Sequence, residues 1–254
     1  MNFKTKAMVA AMAFAAAGAA NAAIDAGFGV DDALTGNGSL LLSLWNANEG
    51  VSALFDLGVT TDTFSAFSSN AWDLTSGDYA DAWTAYSPYL SGSVFMVIAA
   101  DVTGTSYETQ HYMTTVANAG NLGTVTNGKI SAFPSVAEFI VGSNAQGNHQ
   151  SVENGANISG DALSYQGSKF DTNWAANGAI AVGALDTTLS FYDLVGVAAG
   201  GRGSAAIAVT ATEIGAFNMS SNGILTAVPE PETYAMLLAG LGLVGAVARR
   251  RRQG

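Results

Sequence analysis

The sequence predicts a mainly β protein: an antiparallel β-sandwich or jelly-roll-like body with one or two short helices, flanked by an N-terminal signal helix and a C-terminal transmembrane helix. Three observations carry this expectation. Short apolar runs recur along the body and are separated by Gly- and Asn-rich turns. Only one stretch, 79–90, shows a clear helical recurrence of large apolar residues. The 254 residues include no cysteine, so the body of about 206 residues between its terminal signals must be held by packing rather than by disulfides.

Taken in order, 23–38 is rich in Gly and Asp and reads as an irregular lead-in. SLLLSLW (39–45) and VSALFDL (51–57) flank the turn-like NANEG (46–50) and are expected to pair as a hairpin. Residues 60–70 are Ser/Thr-rich and predict a loop that packs through Phe64 and Phe67. Tyr79, Trp83, Tyr86 and Leu90 then recur at helical steps, with Thr75 and Asp78 as a capping pair and Pro88 ending the helix by Ser87. Aromatic residues at that spacing predict a buried helix face before they predict a sugar platform.

SVFMVIAA (93–100) is apolar throughout and predicts a central strand buried on both faces, with 107–116 as its partner. Asn127-Gly128 between 123–126 and 129–133 predicts a tight hairpin, because Asn-Gly readily supplies positive φ angles. Residues 136–141 fit a helical turn or a strand equally, and 142–160, dominated by Asn, Gly, Ser and Gln, is expected to be a flexible excursion. Strands are expected at 179–182, 188–195, 205–210 and 215–228, the last folded at Asn222-Gly223.

Each end of the chain carries a different signal. Lys4 and Lys6, the apolar run 7–20 and the small-x-small triplet Ala20-Asn21-Ala22 predict a signal peptide cleaved after Ala22. At the other end, Pro229 and Pro231 hold an acidic Pro-Glu-Pro knot extended. The uncharged run 234–248 follows, about 23 Å long as a helix against a hydrocarbon core of ~30 Å. Thr233 and the arginine stems lengthen it, and Arg249, Arg250, Arg251 and Arg252 form a cytoplasmic stop signal, which places the body outside and the tail inside.

Knot, apolar run and arginine cluster in this order resemble the PEP-CTERM protein-sorting tail, found on exported proteins of Gram-negative bacteria that make extracellular polysaccharide. The resemblance covers 228–254, about a tenth of the chain. It implies recognition by an exosortase, a membrane-embedded cysteine peptidase-transferase, with Pro229, Glu230 and Pro231 as the recognition motif. The domain organisation is therefore 1–22 signal peptide, 23–227 β-rich extracytoplasmic domain and 228–254 sorting tail.

With both signals set aside, the body holds three basic residues, Lys129, Lys169 and Arg202, against eighteen acids, a net charge of −15. Such a surface repels phosphate backbones, so nucleic acid is not an expected partner. It repels anionic polysaccharide too unless divalent cations bridge the two. Gly201-Arg-Gly-Ser-Ala-Ala206 fits a dinucleotide pattern in letters only, because no βαβ unit surrounds it, and a glycine turn is expected. Asp171 and Asn173 match the first two ligand positions of a calcium loop, but Ala175 and Ala176 then stand where a third ligand and the turn glycine belong. Asp31, Asp32, Asp56, Asp101 and Asp193 are unranked candidates for calcium held between loops, beside the simpler reading of a solvated acidic surface.

His111 in an expected strand and His149 in the polar excursion show no metal-pair spacing, and G-x-S-x-G is absent; Gly50-Val-Ser-Ala-Leu54 lacks the closing glycine. Triads and carboxylate pairs are spatial, so sequence alone singles out no catalytic residue. The reading is a non-enzymatic exported protein with no metal or cofactor and a structural or adhesive role at the cell surface or in the exopolysaccharide matrix. A carbohydrate- or calcium-binding module using Trp72, Trp83 or Trp174 is the alternative, and a secreted hydrolase ranks below it. The implied partners are signal peptidase, an exosortase and the inner membrane, with exopolysaccharide as a further candidate. The body is expected on the periplasmic side of the inner membrane before sorting, then at the cell surface or in the matrix.

Overall fold

A computed structural model describes residues 24–27, 36–64, 70–130, 135–149, 152, 154–160, 164–169, 181–198, 200–201 and 203–228. The strands are β1 (Ser39–Asn46), β2 (Val51–Thr60), β3 (Ala71–Asp73), β4 (Val94–Val102), β5 (Gln110–Val116), β6 (Ala156–Ser159), β7 (Gly183–Ala184), β8 (Thr188–Val195), β9 (Thr210–Met219) and β10 (Ile224–Val228). The helices are α1 (Ala80–Tyr86), α2 (Asn127–Ile130), α3 (Ser135–Asn144) and α4 (Gln166–Lys169). The strands form one antiparallel sheet in the order β3-β10-β9-β8-β5-β4-β1-β2-β6, with β7 also on β4. The fold is thus mainly antiparallel β with a few short helices, as expected, but the two sheets of a sandwich are replaced by one continuous sheet.

That sheet curls. β3 and β2 are seven strand positions apart, roughly 34 Å if the sheet were flat. Yet the Trp72 indole N–H on β3 donates to the Leu57 carbonyl on β2 at 2.8 Å. Inward-facing residues from nearly every strand meet in one core: Leu42, Phe55, Val97, Phe191, Phe217 and Leu225 among them. α1 fills the remaining gap between the sheet's ends. Its Trp83 and Tyr86 and the preceding Tyr79 are buried in that core, and Tyr79 donates from its hydroxyl to the Asp56 carbonyl at 2.6 Å. Phe64, Phe191 and Phe217 pack edge-on and stacked at centroid distances of 4.9–5.9 Å, so the loop after β2 closes the same core.

The other face of the central strands is buried as well. Leu41, Leu54, Ile98 and Tyr112 lie in a second core with Ile130 of α2 and Phe139 and Ile140 of α3. Burial on both faces explains why β1 and β4 read as near-continuous apolar runs rather than alternating ones. β4 is shared by two partners, β5 along one half and β7 along the other. Where they part, the Thr115 hydroxyl accepts from Val97 N–H at 3.1 Å and donates to the Ala181 carbonyl at 2.7 Å, replacing ladder bonds.

The hairpins expected at 39–57 and 215–228 form, and β4 is the expected central strand with 110–116 beside it. Asn46 sets the first turn: its carboxamide oxygen accepts from the N–H of Asn48 and Glu49 and its amide donates to the carbonyls of Tyr89 and Ser91. The second turn places Gly223 at φ +90°, which favours glycine.

Four local expectations fail, the first through a neighbouring side chain and the others through partners farther along the chain. Thr75 and Asp78 do not form a capping pair: the Asp73 carboxylate accepts from Thr75 and Ser76, and a 3-10 turn at Gly77–Tyr79 starts the helix. Asn127-Gly128 opens α2 instead of turning a hairpin, because the fully buried Asn127 side chain is tied to Val197 N–H and to the carbonyls of Val197 and Ser204. That same tie bends Ser204–Ala206 into a 3-10 turn, so the strand expected at 205–210 begins only at Thr210.

The expected flexible excursion at 142–160 contains the end of α3 and the buried strand β6, paired to β2. Its polar side chains bond inward. Asn148 Oδ1 accepts from Ala156 N–H at 2.6 Å, and His149 Nε2 lies 2.7 Å from Asn157 Oδ1. Phe67, the first half of the strand expected at 179–182 and both terminal signals lie outside the described residues; Ala181 and Val182 are not in a strand, and β7 follows them at Gly183–Ala184. No helix among the described residues is long and apolar enough to cross a membrane.

Replacing Trp72 by Phe keeps the ring in the core but removes the one indole N–H that links β3 to β2. The expected loss is about 1–2 kcal/mol in urea unfolding at an unchanged m-value; wild-type stability would show that this bond does not hold the curl.

Candidate functional site

The sequence-derived sorting residues Pro229, Glu230 and Pro231, the arginines Arg249, Arg250, Arg251 and Arg252, and the signal residues Ala20 and Ala22 lie outside the described residues. What the structure describes is the platform from which the tail departs. β10 is held by β9 on one side and by the three-residue β3 on the other. Leu225 and Ala227 point into the inner core at 0% and 4% exposure, while Ile224 and Val228 are exposed. The ladder continues to Val228, opposite Ala216 of β9.

The candidate chemical residues are dispersed. His111 on β5 stands opposite Val195 of β8, one side-chain repeat from Asp193, and its Nδ1 lies 3.7 Å from Asp193 Oδ2. The neighbouring Asp193 carboxylate holds the His111 imidazole above its ordinary pKa. Asp101 lies opposite His111 across β4 and β5, with its Oδ1 accepting from Asn37 N–H at 3.0 Å. Asp56 is buried on β2 and accepts from Gly58 N–H. Asp31 and Asp32 are outside the described residues, and so is the 171–178 segment with Trp174. Among the described residues no group of three or more His, Asp or Glu side chains is placed to hold a metal ion.

Ser52, in the near-match to a nucleophile elbow, is buried on β2 and accepts from Gln166 N–H at 3.0 Å. It ties α4 to the sheet. Ser43 does the same through Gln166 Oε1. Of the three tryptophans the alternative reading offers for sugar stacking, the two among the described residues serve packing: Trp83 is 8% exposed, and the half-buried Trp72 lies against Phe217. The glycine turn expected at 201–206 is present, with Gly201 and Gly203 at φ +105° and +98°.

His149 is the residue whose environment sequence reasoning missed. It is fully buried, burial pushes its pKa down to about 4, and among the described residues its Nδ1 has no hydrogen-bond partner. Gly155 lies against this ring so closely that a Cβ there would stand 2.7 Å from Nδ1. A spacing motif cannot find this arrangement, because it is made by a loop folding back on its own strand.

The two histidines are expected to titrate in opposite directions. Between the ordinary imidazole pKa near 6.5 and about 4 the unfolded chain binds a proton at His149 that the folded chain does not. Stability is therefore expected to fall as pH is lowered across that window, by an amount on the order of 3 kcal/mol. His149→Gln should flatten this fall in thermal melts. Asp193→Asn should lower the NMR titration midpoint of His111 and leave that of His149 in place.

Comparison with known proteins adds one finding. Residues 227–252 match the PEP-CTERM protein-sorting motif. No curated protein and no solved structure gives a significant match to the chain. The chain thus carries a PEP-CTERM sorting motif in its C-terminal tail, overlapping the last two residues of β10.

Proposed function

We propose that this is an exported protein whose tail is recognised and processed by an exosortase, and that its body then serves a structural or adhesive role at the cell surface or in the exopolysaccharide matrix. The observation that carries the reading is the sorting motif at 227–252, joined directly to the last strand of the sheet. The body supports a scaffolding role in its construction. Two apolar cores on a single sheet stabilise it without a disulfide, and the side chains of Asn46, Ser52 and Asn127 serve folding contacts. The apolar run 234–248 anchors the precursor in the inner membrane with the body on the periplasmic side, after signal peptidase has removed 1–22. The non-enzymatic reading belongs to this proposal.

Deleting 229–254 leaves every described strand whole and is expected to abolish surface retention of the body. Undiminished surface retention of the truncated chain would defeat the sorting claim. Replacing Pro229, Glu230 and Pro231 together by Ala should leave the chain membrane-bound at its precursor mass. Intact-mass analysis of surface material checks this: the wild-type protein is expected to run from Ala23 to a terminus near the Pro-Glu-Pro knot.

A further inference from the structure

We infer that the layer between the sheet and helices α3 and α4 is a built site for internal water, held by the side chains of Ser143, His149, Asn157 and Gln166. The site stands apart from the sorting reading of the tail. These four residues are 0%, 0%, 3% and 1% exposed. Among the described residues each leaves a polar atom without a hydrogen-bond partner: Ser143 Oγ, His149 Nδ1, Asn157 Nδ2 and Gln166 Nε2. A buried polar atom left in that state costs free energy that a hydrogen bond would recover.

The topology brings these side chains to one patch of the outer face, centred on Leu54 of β2. Asn157 of β6 stands opposite Leu54 on one side and Ser43 of β1 on the other, two strand spacings or roughly 10 Å across. Gln166 lies over the same patch. Its backbone N–H donates to Ser52 Oγ at 3.0 Å and its Oε1 accepts from the Ser43 hydroxyl, which leaves the amide end over. From above, α3 sets Phe139 and Ile140 into the outer core with Leu54, and Ser143 follows at four and three residues on, along the same face. Its hydroxyl has not turned back onto the preceding turn of the helix, where a serine ordinarily finds an acceptor. The chain leaving α3 then runs against β6, so closely that a Cβ on Gly147 would stand 2.7 Å from Asn157 Cβ. His149 completes the layer, its Nε2 2.7 Å from Asn157 Oδ1.

The chemistry of the unpaired atoms selects the occupant. With Asn157 Oδ1 against it, His149 Nε2 carries the proton and Nδ1 keeps a lone pair, while Asn157 Nδ2 remains a donor. Turning the carboxamide over exchanges the two roles, so the pair offers one donor and one acceptor either way. Gln166 Nε2 adds a donor, and the Ser143 hydroxyl serves as either. An anion would meet the imidazole lone pair, and a cation the amide hydrogens. Water gives and takes hydrogen bonds at once and fits a layer closed to solvent. A neutral His149, its pKa pushed down to about 4 by burial, agrees with such a site. Water there ties α3, the loop after it, β6 and α4 together through groups that apolar contact would leave unpaired.

The test uses the full-length chain in detergent, with 15N in the Asn and Gln side chains, and reads water–protein cross-relaxation by NMR, with chemical exchange separated by its sign in the rotating frame. Cross-peaks from long-lived water are expected at the side-chain amide protons of both Asn157 and Gln166, opposite in sign to those at the exposed Asn222. Ser143→Ala is expected to lower the melting temperature by about 2–4 °C, because the water loses a partner, although alanine is the better helix former. A dry layer would gain from losing an unpaired hydroxyl. A missing cross-peak at either carboxamide, or an unchanged or raised melting temperature in Ser143→Ala, overturns the site.

Discussion

An antiparallel sheet has two edges, and here the inner apolar face leaves water only if those edges are drawn together. Trp72 of β3 reaches the backbone of β2, Tyr79 reaches the Asp56 carbonyl, and α1 occupies the space between. Everything inward of that seam depends on it. Phe55, Phe191 and Phe217, fully buried on widely separated strands, can share one core only in a curled sheet. In a chain without cysteine, the seam has the role that a disulfide has in many exported domains.

The seam and the sorting tail meet at β10. Leu225 of β10 is paired with Trp72 of β3, so the strand that carries the tail lies beside the residue that closes the sheet. The tail thus departs from one margin of the sheet, where the edge strand β3 is three residues long. The central strands β1 and β4, buried on both faces, stand well away from it.

The low-charge, Asn- and Ser-rich composition has a physical counterpart inside the fold. Asn46, Asn127 and Asn157 are buried, and Asn46 and Asn127 each satisfy several backbone groups of loops that no helix or strand would satisfy. A body with few charges has few ion pairs to fix its loops. Carboxamides replace them, at positions where a buried unpaired charge would be far costlier.

The hairpins β1–β2 and β9–β10, the central strand β4 and strand β8 were legible because apolar patterning and adjacent turn residues specify them within a few positions of chain. The sorting segment was legible for the same reason: its information is linear. The curl, the burial of β6, the helical use of Asn127-Gly128 and the buried state of His149 were not. Each depends on where a polar side chain finds its partner, and those partners are brought by other strands or by a loop folding back. By itself the sequence determined that this is a mainly β protein with a C-terminal sorting tail. Tertiary structure alone decided that the tail grows out of a strand clamped in the sheet, because strand order and closure are set by non-local pairing that a linear pattern does not encode.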